Sequence, residues 1–473
     1  MYKKTILLSA IILFSLMGKA DTLPTTIQGT NAEYAGQIIK VYKFADYITK
    51  KHELLATDTV NKQGSFKLSY KQTETLLISV PLGIYNAILF TEPNKTYNII
   101  LPPYQPITKA DVLNPFFKPV ETYLGIKNVD STNLNYQIAG FNELYYKYVE
   151  NNYYYIFKNP HTANVDSAIQ SIEDKFNSNP NTFFYDYRNY KYAWLKYSSY
   201  MRDPRYVIRE YFHDKPFLYQ NPAYMDLFNQ LFTNYLALYM NTSEGERLYS
   251  DIAFAKSPQY IKQTFSNNMV LLNDTLQELV LLKGLYDAFY QKTFPTPSML
   301  ITLDSVALTT KVPYHKAIAE NIQKKVLQAK SGFPAPKFEL RDANGVFRSS
   351  SDYLANYVYL NFISVESFAC QQDFELLKKL YEKHKNDFRI VSVCIDDDFK
   401  KATDLFKEKG YNWMLLSYRT QKTIVDDYKV RAYPAYYLIN PDGKLGMSPA
   451  VSPGENFEWH FFKMLQAQKK KRH

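Results

Sequence analysis

The strongest constraint on the fold is a short apolar run that leads directly into a helical pattern. Residues 357–362 read Tyr-Val-Tyr-Leu-Asn-Phe, which is typical of a buried strand. After a short loop, apolar side chains recur at helical spacing, at Phe374, Leu377, Leu380 and Tyr381. A buried strand followed by a helix predicts a layered α/β unit in the last third of the chain.

Four short motifs accompany this unit in a fixed order along the chain. They are Gly332-Phe333-Pro334-Ala335-Pro336-Lys337-Phe338, Leu360-Asn361-Phe362, Val430-Arg431-Ala432-Tyr433-Pro434 and Asn440-Pro441-Asp442-Gly443-Lys444. The Asp-Gly pair of the last motif is typical of a hairpin turn. Together the motifs resemble exported thioredoxin-like proteins of the TlpA and redoxin type from Bacteroidota-type bacteria. The resemblance implies a thioredoxin fold for residues 332–466 and a cis-proline at Pro434.

The resembled family carries a Cys-x-x-Cys pair in the loop after the strand, and this chain departs from it. Counting from Phe362, Ser367 stands where the attacking cysteine belongs and Cys370 where the resolving cysteine belongs. A dithiol oxidoreductase needs an exposed thiolate to attack a disulfide and a second thiol to release the product. A serine hydroxyl without an adjacent base cannot replace that thiolate. The sequence therefore predicts that this degenerate motif runs no ordinary dithiol cycle.

Three interpretations of Cys370 remain open. It is a buried relic in a binding domain, or a monothiol whose pKa is lowered by the nearby helix N-terminus, or a peroxidatic cysteine. The last interpretation rests on Ser367-x-x-Cys370, which also resembles the Thr/Ser-x-x-Cys of peroxiredoxins. Two departures weaken it, because Ile363 stands where that family has proline and Pro434 stands near the place of its activating arginine.

The resemblance also implies a cleft in which the backbone beside Pro434 pairs with an extended substrate chain. Tyr433, the flanking residue, is bulkier than the residue usual in the family, and Asn361 stands where cytosolic thioredoxins have a buried proton-relay acid. The first hypothesis is that an extended protein or peptide segment binds non-covalently in the cleft near Ser367, Cys370 and Pro434. The alternative is a thiol-disulfide oxidoreductase that uses Cys370 alone.

The first twenty residues have the pattern of a cleavable signal peptide. Lys3 and Lys4 precede an apolar run over residues 6–17, and the small residues Gly18 and Ala20 follow it. No later stretch approaches the roughly 20 apolar residues that a membrane-spanning helix requires. We therefore expect a protein exported to the periplasm or cell envelope, with no transmembrane segment in the mature chain.

The remaining sequence predicts a multidomain protein with a β-sandwich, a helical bundle and an α/β thioredoxin-like domain. Short strand-like runs separated by polar turns predict the β-sandwich over residues 21–103. Helical periodicity with Pro and Asn breaks predicts the helical domain over residues 104–331. The thioredoxin-like domain follows over residues 332–466, and a short basic tail over residues 467–473.

Other function classes find little support in the sequence. The formal net charge of +10 is spread along the chain, so no nucleic-acid partner is expected. The histidines lack metal-ligand spacing and there is no Gly-rich phosphate loop, so neither a metal nor a cofactor is expected. The two cysteines cannot form a disulfide framework, and Cys394 lies in an apolar strand over residues 388–395 and is expected in the core. The oligomeric state stays open.

Overall fold

The computed structural model describes residues 23–159, 164–176 and 178–472, with side chains up to residue 470. The predicted signal peptide at residues 1–20 lies outside the described residues. In the described ranges, no helix is both long enough and apolar enough to cross a membrane. The chain forms an N-terminal β region, a helical region in the middle and a C-terminal α/β domain.

The β region contains two sheets, with strand orders β4-β1-β7-β9 and β3-β2-β5-β6-β8. Its strands are β1 Thr25–Thr30, β2 Ile38–Asp46, β3 Lys51–Thr59, β4 Ser65–Tyr70, β5 Leu76–Leu82, β6 Tyr85–Thr91, β7 Thr96–Ile100, β8 Val120–Tyr123 and β9 Gly125–Ile126. Alternate residues of the strands of both sheets, such as Ile27, Val41 and Ile78, are buried in one cluster. The finer assignment to a β-sandwich stays a prediction.

A short helix, α1 Lys109–Leu113, interrupts this region between β7 and β8. Both ends of the surrounding segment are fixed to the same turn of the β region. Ile84 donates its backbone N–H to the carbonyl of Gln105 at 2.9 Å, and Val120 donates to the carbonyl of Ile84 at 2.8 Å. The strands β8 and β9 lie beyond residue 103, where the sequence predicts the change to helical structure.

The helical region follows β9 and has a single large hydrophobic core. Its helices are α2 Leu134–Asn151, α3 Tyr153–Phe157, α4 Val165–Glu173, α5 Thr182–Lys196, α6 Pro204–Tyr211, α7 Pro222–Leu231, α8 Tyr235–Tyr239, α9 Leu248–Ser250, α10 Pro258–Ser266, α11 Asp274–Gln291, α12 Thr296–Thr309 and α13 Pro313–Leu327. The helix α11 lies deepest, because apolar residues occur around most of its circumference.

The β region packs against the helical region through polar side chains as well as apolar ones. The carboxylate of Asp46 accepts a hydrogen bond from the side chain of Asn321 on α13 at 2.9 Å, and both residues are buried. Lys51 donates to the amide oxygen of the same Asn321 at 2.9 Å. These contacts join the β2–β3 hairpin to the helices.

The α/β domain is built on a seven-stranded sheet of order β11-β10-β14-β13-β12-β15-β16. Its elements are β10 Glu339–Asp342, β11 Phe347–Ser349, β12 Val358–Ile363, α14 Phe368–His384, β13 Arg389–Cys394, α15 Phe399–Lys409, β14 Met414–Ser417, α16 Ile424–Asp427, β15 Ala435–Ile439, β16 Leu445–Ala450 and α17 Phe457–Arg472. All six residues of β12 are buried, and this strand pairs in parallel with β13 and antiparallel with β15. The Asp442-Gly443 turn joins β15 to β16, with Gly443 at a φ of +77°.

The last helix is longer than the sequence suggests. Helix α17 continues through the stretch predicted as a basic tail and ends at Arg472. Lysine and arginine have good helix propensity, and the positive charges lie in the last turns, where the helix dipole favours them.

Candidate functional site

The loop after β12 positions the predicted motif. Ser364 donates its hydroxyl hydrogen to Asp396 Oδ1 at 2.7 Å, and the backbone N–H of Val365 donates to Asp396 Oδ2 at 2.7 Å. Asp396 lies two residues after β13 and is buried. Because one carboxylate holds two successive loop residues, the chain enters α14 in a fixed direction.

Cys370 lies in the first turn of α14 and has no exposed surface. It packs in the hydrophobic cluster that contains Tyr359, Ile363 and Phe374. Burial raises the pKa of the Cys370 thiol, and hydrogen bonds with the Ser364 backbone and the Ser367 side chain act in the opposite direction but do not outweigh it. The monothiol interpretation requires a lowered pKa from the helix N-terminus, whereas burial acts in the opposite direction.

Ser367 is the residue immediately before α14 and is partly accessible. Its hydroxyl donates to the backbone carbonyl of Tyr433 at 3.5 Å, the outer limit of a hydrogen bond. The Tyr433–Pro434 peptide bond is cis, as the resemblance implies. The structure therefore brings Ser367, Tyr433 and Pro434 together above the buried Cys370. Within the described ranges no histidine, lysine or carboxylate is hydrogen-bonded to the Ser367 hydroxyl, so it lacks an activating base.

Asn361 lies in the middle of β12, on the face of the strand that also carries Tyr359 and Ile363, and is fully buried. Neither polar atom of its side-chain amide has a hydrogen-bond partner among the described residues. A side-chain amide neither gains nor loses a proton near neutral pH, so Asn361 supplies no acid–base group beneath the motif.

Cys394 lies at the end of β13, and its side chain is buried in the same cluster as Cys370. Its thiol donates to Asp396 Oδ2 at 3.5 Å. Burial, followed by the nearby charge of Asp396, raises the pKa of this thiol. These contacts fit a core residue.

The peroxidase interpretation requires a cation close to Cys370. Arg431 is exposed and lines a cavity to which neither Ser367 nor Cys370 contributes. Among the described residues, no hydrogen bond joins the Arg431 guanidinium to the motif. In the part of the chain that the structure describes, no cation contributes to the pKa shift of Cys370, so the charge that the peroxidase interpretation requires is not found beside the thiol.

Sequence reasoning missed two charged residues that support the motif, Asp396 and Lys109. The ammonium group of Lys109 on α1 lies 2.9 Å from Asp396 Oδ1 and 2.8 Å from Glu366 Oε2. Burial alone would lower the pKa of Lys109, but the hydrogen bonds to these two carboxylates raise it. A segment inserted between two strands of the β region thus reaches the loop of the α/β domain.

The described part of the chain contains no group of three histidine, cysteine or acidic side chains arranged to hold a metal ion. The groups that surround the motif are hydroxyls, a backbone carbonyl, apolar rings and the carboxylate of Asp396. Among the described residues, this arrangement presents no exposed thiol, and its one partly accessible hydroxyl, that of Ser367, has no base hydrogen-bonded to it.

Comparison with known proteins assigns the C-terminal part of the chain. The AhpC/TSA family model matches residues 332–447. This part of the chain is a thioredoxin-like domain. The thiol-disulfide oxidoreductase ResA of Bacillus subtilis (strain 168) is 30% identical over 115 residues, which are 24% of this chain and 64% of that protein. ResA of Bacillus anthracis is 26% identical over 115 residues, or 66% of its length. The matches span just under two thirds of these curated relatives.

Solved structures also resemble the thioredoxin-like domain. The thioredoxin domain of a thiol-disulfide oxidoreductase from Bacteroides vulgatus has 20% identity and a TM-score of 0.27, and the match covers 28% of this chain and 98% of that one. A thiol:disulfide interchange protein from Bacteroides sp. has 24% identity and a TM-score of 0.25, with 26% and 84% of the chains covered.

Proposed function

We propose that this chain is an exported cell-envelope protein whose thioredoxin-like domain lacks an attacking cysteine and holds an extended protein or peptide segment non-covalently. The segment would lie in the cleft formed by Ser367, Tyr433 and Pro434. The N-terminal β-sandwich and the helical bundle would support this domain in an envelope-assembly role.

The observation that carries the proposal is the complete burial of Cys370 beneath Ser367. A thiol attacks a disulfide only as an accessible thiolate, and Cys370 has neither the exposure nor the lowered pKa. The partly accessible hydroxyl of Ser367 has no base beside it. The backbone of Tyr433 and the ring of Pro434 remain available to a chain that needs no covalent step.

The second candidate function is monothiol exchange at Cys370. It is favoured by the relatives, since the curated proteins that match are named thiol-disulfide oxidoreductases. In this mechanism the Cys370 thiolate would attack a partner disulfide and remain bound to it as a mixed disulfide. The partner would supply the second thiol that releases it.

The alkylation rate of Cys370 against pH distinguishes the two functions. The measurement uses the folded protein with Cys394→Ala, and the unfolded protein as reference. The non-covalent function predicts protection by about two orders of magnitude or more at neutral pH, because alkylation must wait for local opening. An accessible thiol with an apparent pKa below about 8.5 would overturn it in favour of monothiol exchange.

A second measurement tests the cleft itself. The fluorescence anisotropy of a labelled, cysteine-free unfolded polypeptide would report binding to the full chain. Ser367→Trp is expected to weaken binding about tenfold or more, because the ring fills the space beside Tyr433. Ser266→Trp, on the exposed surface of α10, is the matched control. Equal binding by both variants would refute the assignment of the cleft.

A further inference from the structure

A cavity of about 760 Å³ lies between the helical region and the thioredoxin-like domain. Its helical wall includes Phe289 and Tyr290 at the end of α11, and its opposite wall includes Pro434 and Pro449. The volume lies within the range of ordinary ligand-binding sites, which are mainly apolar with a few polar groups. The cavity shares Pro434 with the proposed cleft, so the two spaces adjoin.

The charged side chains that line this cavity are mostly cations. They are Lys330, Lys429 and Arg431, together with one carboxylate, Glu455. The Glu455 carboxylate is already engaged, because it accepts a hydrogen bond from the backbone N–H of Ser452 at 2.9 Å. No ion pair within the described ranges joins any of the three cations to an acidic residue.

Two of the three cations are held in place by uncharged groups. The ammonium group of Lys330 lies 5.6 Å from the ring centre of Phe289 and 5.9 Å from that of Phe333. Lys429 donates its side-chain N–H to the backbone carbonyl of Lys325 at 3.1 Å. These contacts fix the charges without neutralising them.

The neighbours of both lysines increase the local positive charge. Burial lowers the pKa of Lys429, as do the charges of Lys325, Arg431 and Lys330. Burial and the charge of Lys292 lower the pKa of Lys330. An anion placed among these groups would relieve their mutual repulsion.

Two of the cations lie in the loop that leads to the proposed cleft. Lys429 and Arg431 belong to the loop that leads to Pro434 and β15. The cavity also borders the edge strand β16, whose first residue exchanges hydrogen bonds with the backbone of Gly332 and Phe333 at 2.7 and 2.9 Å. Because Pro434 lines the cavity and also the proposed cleft, a chain extended alongside Pro434 would reach the cavity.

We propose that the cavity selects an acidic extended segment, whose carboxylates meet Lys330, Lys429 and Arg431. The inference rests on the proposed function, because it names the chemistry of the segment held at Pro434. The walls carry aromatic rings such as Phe289 and Tyr290 as well as the cations, so the preferred segment carries Asp or Glu together with apolar residues. Charge complementarity of this kind selects among partners more than it adds affinity.

The test compares three fluorescein-labelled ten-residue peptides by anisotropy on the full chain. One alternates Glu with Phe and Val, one has Gln in place of Glu, and one has Lys in place of Glu. We expect the acidic peptide to bind about tenfold more tightly than the Gln peptide, and less tightly as salt rises. Equal affinities, or competition of the acidic peptide by free succinate as effectively as by unlabelled peptide, would overturn the proposal.

Reversing the charge of Arg431 tests whether the cavity is the source of the preference for the acidic peptide. Arg431→Glu is expected to remove the preference for the acidic peptide, while Arg209→Glu on the exposed face of α6 makes the same change in net charge and should retain it. If both variants keep the preference, the cavity is not its source.

Ser367→Trp separates this inference from the proposed function. If Ser367→Trp weakens all three peptides equally and Arg431→Glu changes nothing, the cleft is supported and the acidic preference is refuted. If the acidic peptide responds to Arg431→Glu alone, the cavity binds it and the cleft assignment fails. Absence of binding by every peptide would refute both.

Discussion

Cys370 has the thiol but is buried, whereas Ser367 is partly accessible but has only a hydroxyl. Ser367 stands at the start of α14, where a thiolate would be stabilised by the helix dipole. The position suited to an attacking thiolate therefore still exists, but it is occupied by the hydroxyl group of Ser367.

At this residue scale we predict that Ser367→Cys restores a dithiol. The new thiol should have a lowered pKa and form a disulfide with Cys370 under mild oxidation. With dithiothreitol as the reductant that regenerates the dithiol, insulin reduction should rise from the uncatalysed background to a measurable rate. Mass spectrometry after alkylation would count the free thiols. The double variant Ser367→Cys with Cys370→Ser lacks the resolving thiol and should show no turnover. Three free thiols persisting in the single variant after oxidation, Cys394 among them, would contradict the prediction.

In the sequence, counting from Phe362 assigned Ser367 and Cys370 to the motif, and the family resemblance implied Tyr433 and Pro434. Burial of Cys370 was one of three open interpretations, and the motif alone could not select it because burial depends on how α14 packs against the sheet. The role of Lys109 could not be predicted from the sequence either. No local pattern marks that lysine, and its carboxylate partners lie in the last third of the chain.

Among the elements, helices and strands with a strong apolar pattern were predictable and polar ones were not. The spacing of Leu276, Leu279 and Leu282 predicts a helix over residues 274–290, where the structure has α11, and the apolar run over residues 357–362 predicts the strand β12. Sequence reasoning missed β3, whose residues are mostly polar and exposed, and which is defined only by hydrogen bonds to β2. The helical spacing of apolar residues such as Leu227, Leu231 and Leu238 predicts one helix over residues 223–240, where the structure has the separate helices α7 and α8. The backbone breaks there because Asn234 takes a left-handed conformation with φ of 57°.

The packing of α11 against α8 predicts a cost for Gly284→Ala. A Cβ atom at Gly284 would overlap the side chain of Leu236. Overpacking of this kind costs about 1–3 kcal/mol, whereas alanine in a helix gains about 1 kcal/mol over glycine. We expect a net loss of stability in urea unfolding. At Gly140 on α2 the nearest atom, in Phe176, is 4.0 Å away, so Gly140→Ala should be neutral or stabilising. A stabilised Gly284→Ala variant would refute the close packing.

A buried polar group that joins α11 to α13 predicts acid sensitivity of the helical region. Glu278 accepts a hydrogen bond at 2.7 Å from His315 Nδ1, and Thr310 also donates to it. Burial alone would raise the pKa of Glu278, but these hydrogen bonds hold it below its ordinary value of 4.5. A carboxylate with a depressed pKa contributes stability above the unfolded pKa and loses it as pH falls through the folded pKa.

We therefore predict that the free energy of unfolding falls more steeply below about pH 4.5 in the natural protein than in the Glu278→Gln variant. Urea unfolding followed by circular dichroism at pH 6, 5, 4 and 3.5 would measure it. Glu320→Gln, on the exposed face of α13, should follow the natural protein. Identical slopes for Glu278→Gln and the natural protein would be evidence against the Glu278–His315 pair as the source.

At the scale of the whole molecule, Lys109 connects regions that lie far apart in the chain. Removing its charge by Lys109→Met leaves the buried Asp396 with fewer partners, which destabilises a folded protein. The lysine side chain is 37% exposed, so we discount the effect for solvent screening to about 1 kcal/mol. Urea unfolding would measure it, with Lys400→Met as control because its pair with Asp404 is exposed. Equal midpoints for both variants would show that the contact adds no stability.

The contact between Lys109 and Asp396 can form only late in the synthesis of the chain. A ribosome completes the β region, including both fixed ends of the segment that carries α1, long before it reaches Asp396. N-terminal domains fold first, during synthesis. Lys109 therefore has no contact with Asp396 until the thioredoxin-like domain has been synthesised. The segment that carries α1 gains this contact only then, so its docking reports that the thioredoxin-like domain has folded.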